Sequence, residues 1–179
     1  MTWQGGRVPR VRRVVTGRAG GVSVPPYDTF NLGDRVGDAA GAVSANRDRL
    51  ARAIGADPER LVWMEQVHGV AVEIVRQPPG GPVTGTDALL GPAVCGGCYE
   101  VPAAMRDDVQ VHLPGSATTT RGGAPGLDLR AGIAAQLDAL GVAQIVTDRR
   151  CTAEDRTLYS HRRDGVTGRQ AALVWTDPA

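Results

Sequence analysis

One histidine lies in a sequence context that suits metal binding or proton transfer. An apolar run over residues 61–64 predicts a short buried strand, and a second apolar run covers residues 70–75. His68 stands in the polar break between these runs, directly before Gly69. Because flanking strands would fix the turn and the turn would expose the ring, His68 is a candidate metal ligand or general base. The competing interpretation is a structural or merely exposed ring, and it stays open at this point.

The cysteines form the second chemical candidate. Cys95 and Cys98 have the C-x-x-C spacing of redox motifs and metal sites, and Cys151 is the third thiol of the chain. These thiols suit a zinc site with three cysteines and one histidine, whose fourth ligand would be His68, His112 or His161. A single C-x-x-C without a partner pair is a weak motif, so small residues packed in a glycine-rich turn remain an alternative. A redox role is a further alternative, and it predicts a low thiol pKa at Cys95 or Cys98.

A glycine turn near the N-terminus is a candidate anion site. Residues 11–15 predict a short strand, which leads to Gly20 and Gly21 with Arg18 beside them. The backbone N–H groups of such a turn can face an anion, and a guanidinium strengthens the attraction. The alternative is an ordinary glycine loop with a solvated arginine. The next segment, residues 25–33, is irregular but carries two aromatic residues and Asn31, which is typical of loops packed near a site.

Composition limits the classes of function that the chain can have. Its 179 residues are enough for one domain with a real core, and 42% of them are hydrophobic. A net charge of +1 gives no electrostatic case for binding nucleic acid or a membrane surface, and no apolar run reaches membrane-spanning length. Residues 1–10 are polar and predict a flexible N-terminus without a secretory signal, so we expect a cytoplasmic protein. All 20 basic residues are arginine, which excludes lysine Schiff-base chemistry.

Hydrophobic periodicity predicts helices and strands that alternate along the chain. We expect helices over residues 39–54, capped by Asp38, over 102–109, and over 127–140, ended by Gly141. The last helix would bury one face, made of Leu127, Ala131, Ala134, Ala135 and Leu137 or Leu140. Further strands are expected over residues 86–90, 145–146 and 170–175, a turn at 57–58, a loop over 113–125, and a helix start capped by Thr152. This mixture predicts a layered domain of the α/β or α+β class.

Several separated patches of this sequence together resemble one known family. They are Thr16-x-Arg18-x-Gly20-Gly21-x-Ser23, residues 27–33, Gln66-Val67-His68-Gly69, residues 91–101, Cys151-Thr152, and residues 159–170. Their order and spacing are similar to those of the laccase-domain family, also called multicopper polyphenol oxidase or peptidoglycan editing factor. Members of this family are assigned as purine nucleoside phosphorylases.

The resemblance implies a fold, a metal and a reaction. The fold would have four layers, α/β/β/α, with mixed sheets. One zinc (copper in older accounts) would be held by a histidine of a Gln-Val-His-Gly motif, a cysteine of a Thr-Ala-Asp-Cys motif and a histidine of a His-Ala-Gly-Trp-Arg-Gly motif. The substrates would be phosphate and a purine nucleoside (adenosine, inosine, guanosine or methylthioadenosine), and adenosine could also be deaminated. His68 matches the first zinc ligand, while Arg18 and Asn31 match positions that line the site, with Arg18 suited to phosphate.

The sequence departs from the family pattern after residue 90. Where the family continues for several dozen residues, which carry the Cys motif and the second His motif, Leu90 here runs directly into Gly91. Two of the three zinc ligands therefore have no counterpart, with Cys95 and Cys98 as the only substitutes considered. We expect one laccase-like domain over residues 11–179 that is internally shortened at 90/91, with apolar edges exposed by the loss. Its function would be impaired nucleoside phosphorolysis, or alternatively that of an inactive remnant that binds or oligomerises; the sequence does not indicate the oligomeric state.

Overall fold

The computed structural model describes residues 11–63 and 87–176, and its first and last strands pair with each other. Strand β1 (Val11–Val15) runs antiparallel to β6 (Ala172–Thr176), with Arg13 opposite Val174. The pairing continues past the strands, because Thr16 N donates to Ala171 O at 2.9 Å and Ala171 N donates to Thr16 Oγ1 at 2.9 Å. Both predicted strands are confirmed, although β6 begins two residues later than expected. The predictions for residues 1–10 and 70–75 lie outside the described residues.

Helix α1 (Ala40–Ala53) follows the predicted periodicity but differs from the prediction at its N-terminus. The N-cap is Ala39, without a side-chain cap, so the prediction that Asp38 caps the helix is wrong. Asp38 accepts hydrogen bonds from Ala39 N at 2.8 Å and from Asn31 Nδ2 at 2.9 Å, and these bonds hold its carboxylate away from the first turn. The buried face of α1 consists of Val43, Asn46, Leu50 and Ala51.

The middle of the described chain contains one parallel and one antiparallel strand pair. The parallel pair joins β2 (Asp87–Leu90) to β5 (Gln144–Thr147), and the antiparallel pair joins β3 (Ala117–Thr119) to β4 (Pro125–Leu127). The remaining elements are the 3₁₀ helix Pro58–Arg60 and the helices α2 (Ala103–His112), α3 (Leu129–Ala139) and α4 (His161–Asp164). Helices combined with parallel and antiparallel strands confirm the predicted α+β class.

Several local predictions were wrong for identifiable reasons. The expected loop over 113–125 contains β3 and the first residue of β4, because these short strands have too few residues to show an alternating pattern. Leu61 to Trp63 form no strand, and Met64 lies outside the described residues. Residues 152–154 form a turn, whereas Ser160 is the true N-cap of the helix that follows, accepting from Arg163 N.

The buried face of α3 also differs from the prediction. Its buried residues are Arg130 and Gly132, whereas Ala131 and Ala135 are exposed and Leu140 is 76% exposed. Arg130 turns inward because its guanidinium donates to the carbonyl oxygens of Asp148 and Arg150, which lie just beyond β5. Gly141 has a φ of +80°, as expected for the glycine that ends a helix.

The apolar core of the described residues is small. It contains Leu32, Val43, Leu50, Ala51, Val101, Leu127, Leu158 and Tyr159. Other apolar side chains, among them Leu89, Val146 and Val174, are exposed on strands. That the loss of a segment bared apolar edges stays a prediction. Among the described residues, no helix has the length and apolar character needed to cross a bilayer.

Candidate functional site

The parallel strand pair brings two of the three cysteines together. Both strands point the same way, so the residues that follow β2 and β5 leave the sheet at the same edge. Asp148 N donates to Leu90 O at 2.8 Å, and Ala93 and Cys151 then form an isolated parallel bridge. Cys95 N consequently donates to Cys151 Sγ at 3.3 Å, although the two residues are 56 positions apart in the sequence.

A tight turn places Cys98 beside this pair. Cys98 N and Tyr99 N both donate to Cys95 O at 2.9 Å, which closes the C-x-x-C segment into a turn. Gly96 and Gly97 fill the intervening positions because the turn is tightly packed: a Cβ on Gly96 would meet Asp128 Cβ and Thr118 Cγ2 at 3.0 Å. The glycines therefore let the turn lie against neighbouring chain while both thiols point to one side.

A second turn of the same spacing supplies a carboxylate. Glu154 N and Asp155 N donate to Cys151 O at 3.0 and 2.8 Å, so Cys151 and Glu154 stand at the two ends of a turn. The side chains of Cys95, Cys98, Cys151 and Glu154, which we call the cysteine cluster, have ligand atoms that all lie within 4.8 Å of one another. Cys151 is buried, Cys95 and Cys98 are half-buried, and Glu154 is exposed.

Two arginines stabilise the cysteine cluster. Arg121 donates from Nη1 to Glu154 Oε1 and to Cys98 Sγ, the latter at 3.2 Å. Arg163 donates to the carbonyl oxygens of Thr152 at 2.8 Å and Asp155 at 3.1 Å, which fixes the turn that carries Cys151 and Glu154. The positive charges lie where clustered thiolates and a carboxylate need compensation.

The pKa values of Cys98 and Cys151 shift in opposite directions. Burial, followed by hydrogen bonds to Cys95 and Cys151, raises the pKa of Cys98 to about 12. Burial also opposes ionisation of Cys151, but the N–H groups of Cys95, Ala153 and Glu154 outweigh it and lower the pKa of Cys151. Cys98 therefore lacks the low thiol pKa that a redox role predicts, and Cys151 ionises more readily than Cys98.

Arg18 is held between two carboxylates. Its guanidinium donates to Asp28 Oδ2 at 3.1 Å, lies 3.5 Å from Asp164 Oδ2 and stacks 5.2 Å from the Tyr159 ring centroid. Burial raises the pKa of Tyr159 to about 12, and its hydroxyl donates to Tyr27 O at 2.7 Å. The guanidinium is half-buried, and a phosphate that binds it has to compete with both aspartates.

The N–H groups of the glycine turn next to Arg18 are also occupied. Gly20 N and Gly21 N donate to Thr29 Oγ1 at 3.0 and 3.2 Å. A Cβ on Gly21 would clash with Thr29 O and Asn46 Oδ1, so this glycine is required for packing. In this conformation the turn supports the loop over residues 22–33 and presents neither N–H group to an anion.

Asn31 and Asn46 form a buried polar hub, which we call the asparagine hub. Asn31 Nδ2 donates to Gly33 O and Asp38 Oδ2, while its Oδ1 accepts from Gly33 N and Arg169 N, all within 3.0 Å. These four bonds use every donor and lone pair of the amide, so Asn31 joins the loop to the C-terminal segment in this conformation. The substrate-binding role that the resemblance gives Asn31 stays a prediction.

The histidines do not join the cysteine cluster within the described residues. His112 Nδ1 lies 3.0 Å from Asp108 O, His161 Nδ1 lies 2.6 Å from Gly165 O, and His68 is outside the described residues. Glu154 occupies the position that the sequence assigned to a histidine. An open cleft of about 650 Å³ is lined by Cys98, Pro102, Pro125 and Arg162, among others. Neither Arg18 nor Asn31 is among its lining residues.

Comparison with known proteins decides the family. The chain matches the model of the multi-copper polyphenol oxidoreductase laccase family over residues 12–90 and 71–177. It is 47% identical to a purine nucleoside phosphorylase of Mycobacterium tuberculosis, over 94% of this chain and 93% of that protein. The chain belongs to this family. A second relative, a purine nucleoside phosphorylase of Corynebacterium glutamicum, is 38% identical over 92% of this chain and 94% of its own length.

Solved structures of family members share the fold. The crystal structure of YlmD from Geobacillus stearothermophilus superposes with a TM-score of 0.80 at 25% identity, covering 94% of this chain and 92% of that one. YfiH from Bacillus licheniformis also gives a TM-score of 0.80, at 22% identity and 92% coverage of both chains. These likenesses confirm the laccase-domain fold that the sequence motifs implied.

The alignments also show that this chain is shorter than its relatives. The match to the Mycobacterium tuberculosis protein spans 232 residues and so exceeds this chain of 179 residues by 53. At least that many aligned positions therefore have no counterpart here. The family model matches in two overlapping pieces, so residues 71–90 are matched twice.

The residues present do not fit the zinc site that the resemblance describes. Neither the Thr-Ala-Asp-Cys motif nor the His-Ala-Gly-Trp-Arg-Gly motif occurs in the sequence. Across residues 11–63 and 87–176, metal-binding side chains gather only at the cysteine cluster, which has no donor in common with those motifs. We therefore assign no reaction step to a catalytic zinc.

Sequence reasoning missed three residues that shape these sites. Glu154 stands directly before two other charged residues, Asp155 and Arg156, so nothing marked it as a partner of the thiols. Arg121 stands in a loop among glycines, and Asn46 lies within the helix predicted over residues 39–54, where no pattern marked it as buried. The available signal was spacing, since Cys151 and Glu154 repeat the i, i+3 interval of Cys95 and Cys98.

Proposed function

We propose that this chain is a purine nucleoside phosphorylase of reduced activity. The observation that carries the proposal is the 47% identity, over 94% of the chain, to a protein named for that activity. Its substrates would be phosphate and adenosine, inosine, guanosine or methylthioadenosine, in the cytoplasm, and deamination of adenosine would be a second reaction. Phosphorolysis requires phosphate held against the anomeric carbon of the ribose and stabilisation of the charge on the departing base.

Arg18 and His68 are the residues to which we assign these tasks. Arg18 would bind phosphate after exchanging Asp28 for the incoming anion, since the two make the same kind of charge-assisted hydrogen bond. His68 would hold or transfer a proton at the base or the phosphate. Asn31 would hold the loop over residues 22–33 in place beside the substrate, because it is hydrogen-bonded to Asp38 and Arg169.

The reduction in activity follows from the missing segment. We place the deletion at 90/91, where the family pattern breaks and where the first piece of the family-model match ends; the second piece begins earlier, at residue 71. Loss of a catalytic metal removes several kcal/mol of transition-state stabilisation, and each 1.36 kcal/mol corresponds to a tenfold change in rate. We expect kcat/KM roughly a thousandfold below that of a full-length relative.

An assay of base release tests this proposal. Purified chain, inosine and phosphate should yield hypoxanthine and ribose phosphate slowly, and Arg18→Ala should abolish the signal. Arg49→Ala, which removes an exposed arginine on α1, is the matched control and should leave the rate unchanged. A rate equal to that of the Mycobacterium tuberculosis relative in the same assay would contradict the proposed impairment.

A second candidate function is that of an inactive remnant that binds or oligomerises. It is favoured by the exposed apolar side chains of Leu89, Val146 and Val174, which offer surface for association. This function predicts no phosphate-dependent base release and a mass in light scattering that rises with concentration. Base release that depends on phosphate and on Arg18 would decide for the enzyme.

A further inference from the structure

We propose that Cys95, Cys98, Cys151 and Glu154 form a structural zinc site. None of its ligands is a residue to which we assign nucleoside phosphorolysis, and the proposal does not depend on that activity. The argument rests on the distances between the donor atoms, the chemistry of the donors, the charges around them and the position of the cluster in the fold.

The donor atoms are close enough for a tetrahedral metal to bind all four. Zinc binds thiolate sulfur at about 2.3 Å in a tetrahedron, which sets the sulfur-to-sulfur distance at about 3.8 Å. The ligand atoms of the cluster all lie within 4.8 Å of one another, so the widest pair has to close by about 1 Å. Rotation of exposed Glu154 and half-buried Cys98 provides such a movement without a shift of the main chain.

The donor set selects the metal and the role. Three thiolates favour zinc over magnesium or calcium, which prefer oxygen ligands. Four protein ligands fill the tetrahedron and leave no position for a substrate or water, which is the arrangement of structural zinc sites. The C-x-x-C turn and the Cys151-x-x-Glu154 turn each supply two ligands at the same interval, as paired turns do in small structural zinc sites.

The surroundings match an anionic metal centre. Three thiolates and one carboxylate exceed the charge of a divalent cation, and Arg121 lies beside both Glu154 and Cys98 to offset the excess. Cys95 N donates to Cys151 Sγ at 3.3 Å, and bonds of this kind orient metal-bound sulfur. Arg163 fixes the backbone of the second turn through Thr152 O and Asp155 O.

The position of the cluster gives the metal a task. It lies where the chain leaves the ends of β2 and β5, so a zinc there would cross-link segments 56 residues apart in the sequence. This strand pair exposes Leu89 and Val146, and its apolar burial is poor. A metal cross-link would supply stability that packing does not provide there.

Metal content and cobalt spectroscopy test the site. The whole chain, purified under reducing conditions, stripped with a chelator and titrated with zinc chloride, should bind about one equivalent at the cluster and gain melting temperature. Cobalt(II) in place of zinc should give the thiolate-to-cobalt charge-transfer absorption of a sulfur-rich tetrahedral site. Cys98→Ser should weaken that absorption, because only Cys95 and Cys151 remain as thiolate ligands; since Cys98 is only half-buried, this variant should fold, with circular dichroism as the check.

Two further variants separate this site from any other. Glu154→Gln should retain the charge-transfer absorption but weaken zinc binding at least tenfold, because it keeps three thiolates and removes one charge. His68→Ala should leave both the absorption and the thermal shift unchanged, even if it abolishes nucleoside cleavage. Failure of the enzyme proposal and failure of the zinc site are thus distinguishable.

Several results would overturn the site. They are a stripped chain that binds no zinc, cobalt absorption that is undiminished in Cys98→Ser, or absorption that disappears in His68→Ala. A disulfide between two of these cysteines would also exclude the site if it persisted after treatment with reductant and zinc. It would be seen as a protein mass lower by two hydrogens.

Discussion

Two regions of this molecule differ in how well their side chains are buried and hydrogen-bonded. The first region surrounds the asparagine hub and comprises residues 16–53 and 157–170. Its buried side chains are polar and apolar in equal number, most of the polar ones are hydrogen-bonded, and Leu158 is 0% exposed. The second region comprises β2, β5 and α3. There Leu89, Val146 and Leu140 are exposed, and the buried side chain of α3 is Arg130.

We propose from this difference that the second region lacks packing partners that the longer relatives have. A strand pair with both faces in water has no reason to carry apolar residues, whereas a pair at the centre of a layered domain does. The second region therefore has apolar residues typical of a buried core, but their side chains are exposed to solvent. Because hydrogen bonds within the first region link its segments, we expect this region not to depend on the segment that the longer relatives have.

The largest effect is expected from breaking the asparagine hub at Asn46. Its Nδ2 donates to Ser23 Oγ, Thr29 O and Asn31 O, and its Oδ1 accepts from Val22 N at 2.9 Å. Buried groups that lose a partner cost about 1–3 kcal/mol each, so Asn46→Ala should lower the free energy of unfolding by about 4 kcal/mol. Denaturant unfolding followed by circular dichroism measures this loss.

Ser44→Ala is the control for that substitution. Ser44 is an exposed polar residue two positions before Asn46 on the same helix, so its loss should change stability by less than about 0.5 kcal/mol. Equal effects of the two substitutions would mean that the hub contributes no more than an ordinary surface position, and the contrast between the regions would fail.

The next effect compares the same substitution in both regions. Leu158→Ala removes a side chain that is 0% exposed and should cost about 3 kcal/mol, because it removes buried methyl groups and leaves a cavity. Leu140→Ala removes one that is 76% exposed and should change stability by less than about 0.5 kcal/mol. Thermal and denaturant unfolding of both variants measure the difference; a large loss for Leu140→Ala would show that the second region is packed after all.

Sequence reasoning predicted the elements that local pattern determines. Strands β1 and β2 and helices α1 and α3 were expected within two residues at most ends, because periodicity and the terminal Gly141 mark them. The buried face of α3 was predicted wrongly because apolar spacing assumes a partner layer. Ala131 and Ala135 have no such layer among the described residues, and the carbonyl groups beyond β5 draw Arg130 inward.

The candidate site was predictable only in part. The meeting of Cys95, Cys98 and Cys151 was anticipated from their chemistry, whereas Glu154 and Arg121 were not. The parallel pairing of β2 with β5 brings Glu154 there, and the bond from Arg121 N to Gly97 O places Arg121 beside the C-x-x-C turn. No local signal in one sequence reports a pairing between residues so far apart. The hydrogen bonds that occupy Arg18 and Asn31 likewise depend on Asp28, Asp164 and Arg169, whose positions only the fold determines.

The smallest effect concerns one carboxylate in each region. Hydrogen bonds from Arg163 lower the pKa of Asp164 in the first region, and hydrogen bonds from Arg150 lower the pKa of Asp148 in the second. A carboxyl group whose pKa is lowered by folding stabilises the protein above its unfolded value of 3.8, and this contribution disappears as the pH falls through the lowered pKa. Asp164→Asn and Asp148→Asn should therefore each cost about 1 kcal/mol or less at neutral pH and nothing at pH values below both pKa values.

The two substitutions should still differ in how far they lower the melting temperature. Arg163 is itself fixed by three backbone carbonyl oxygens and its side chain is 17% exposed, whereas the side chain of Arg150 is 43% exposed and well solvated. An ion pair whose cation is already held in place costs less side-chain entropy to form, so Asp164→Asn should lower the melting temperature at neutral pH more than Asp148→Asn does. Melting curves from neutral to acidic pH test this order. If Asp148→Asn had the larger effect, the ion pair that contributes more to stability would lie in the second region. The first region would then not be the one with the stronger charged network.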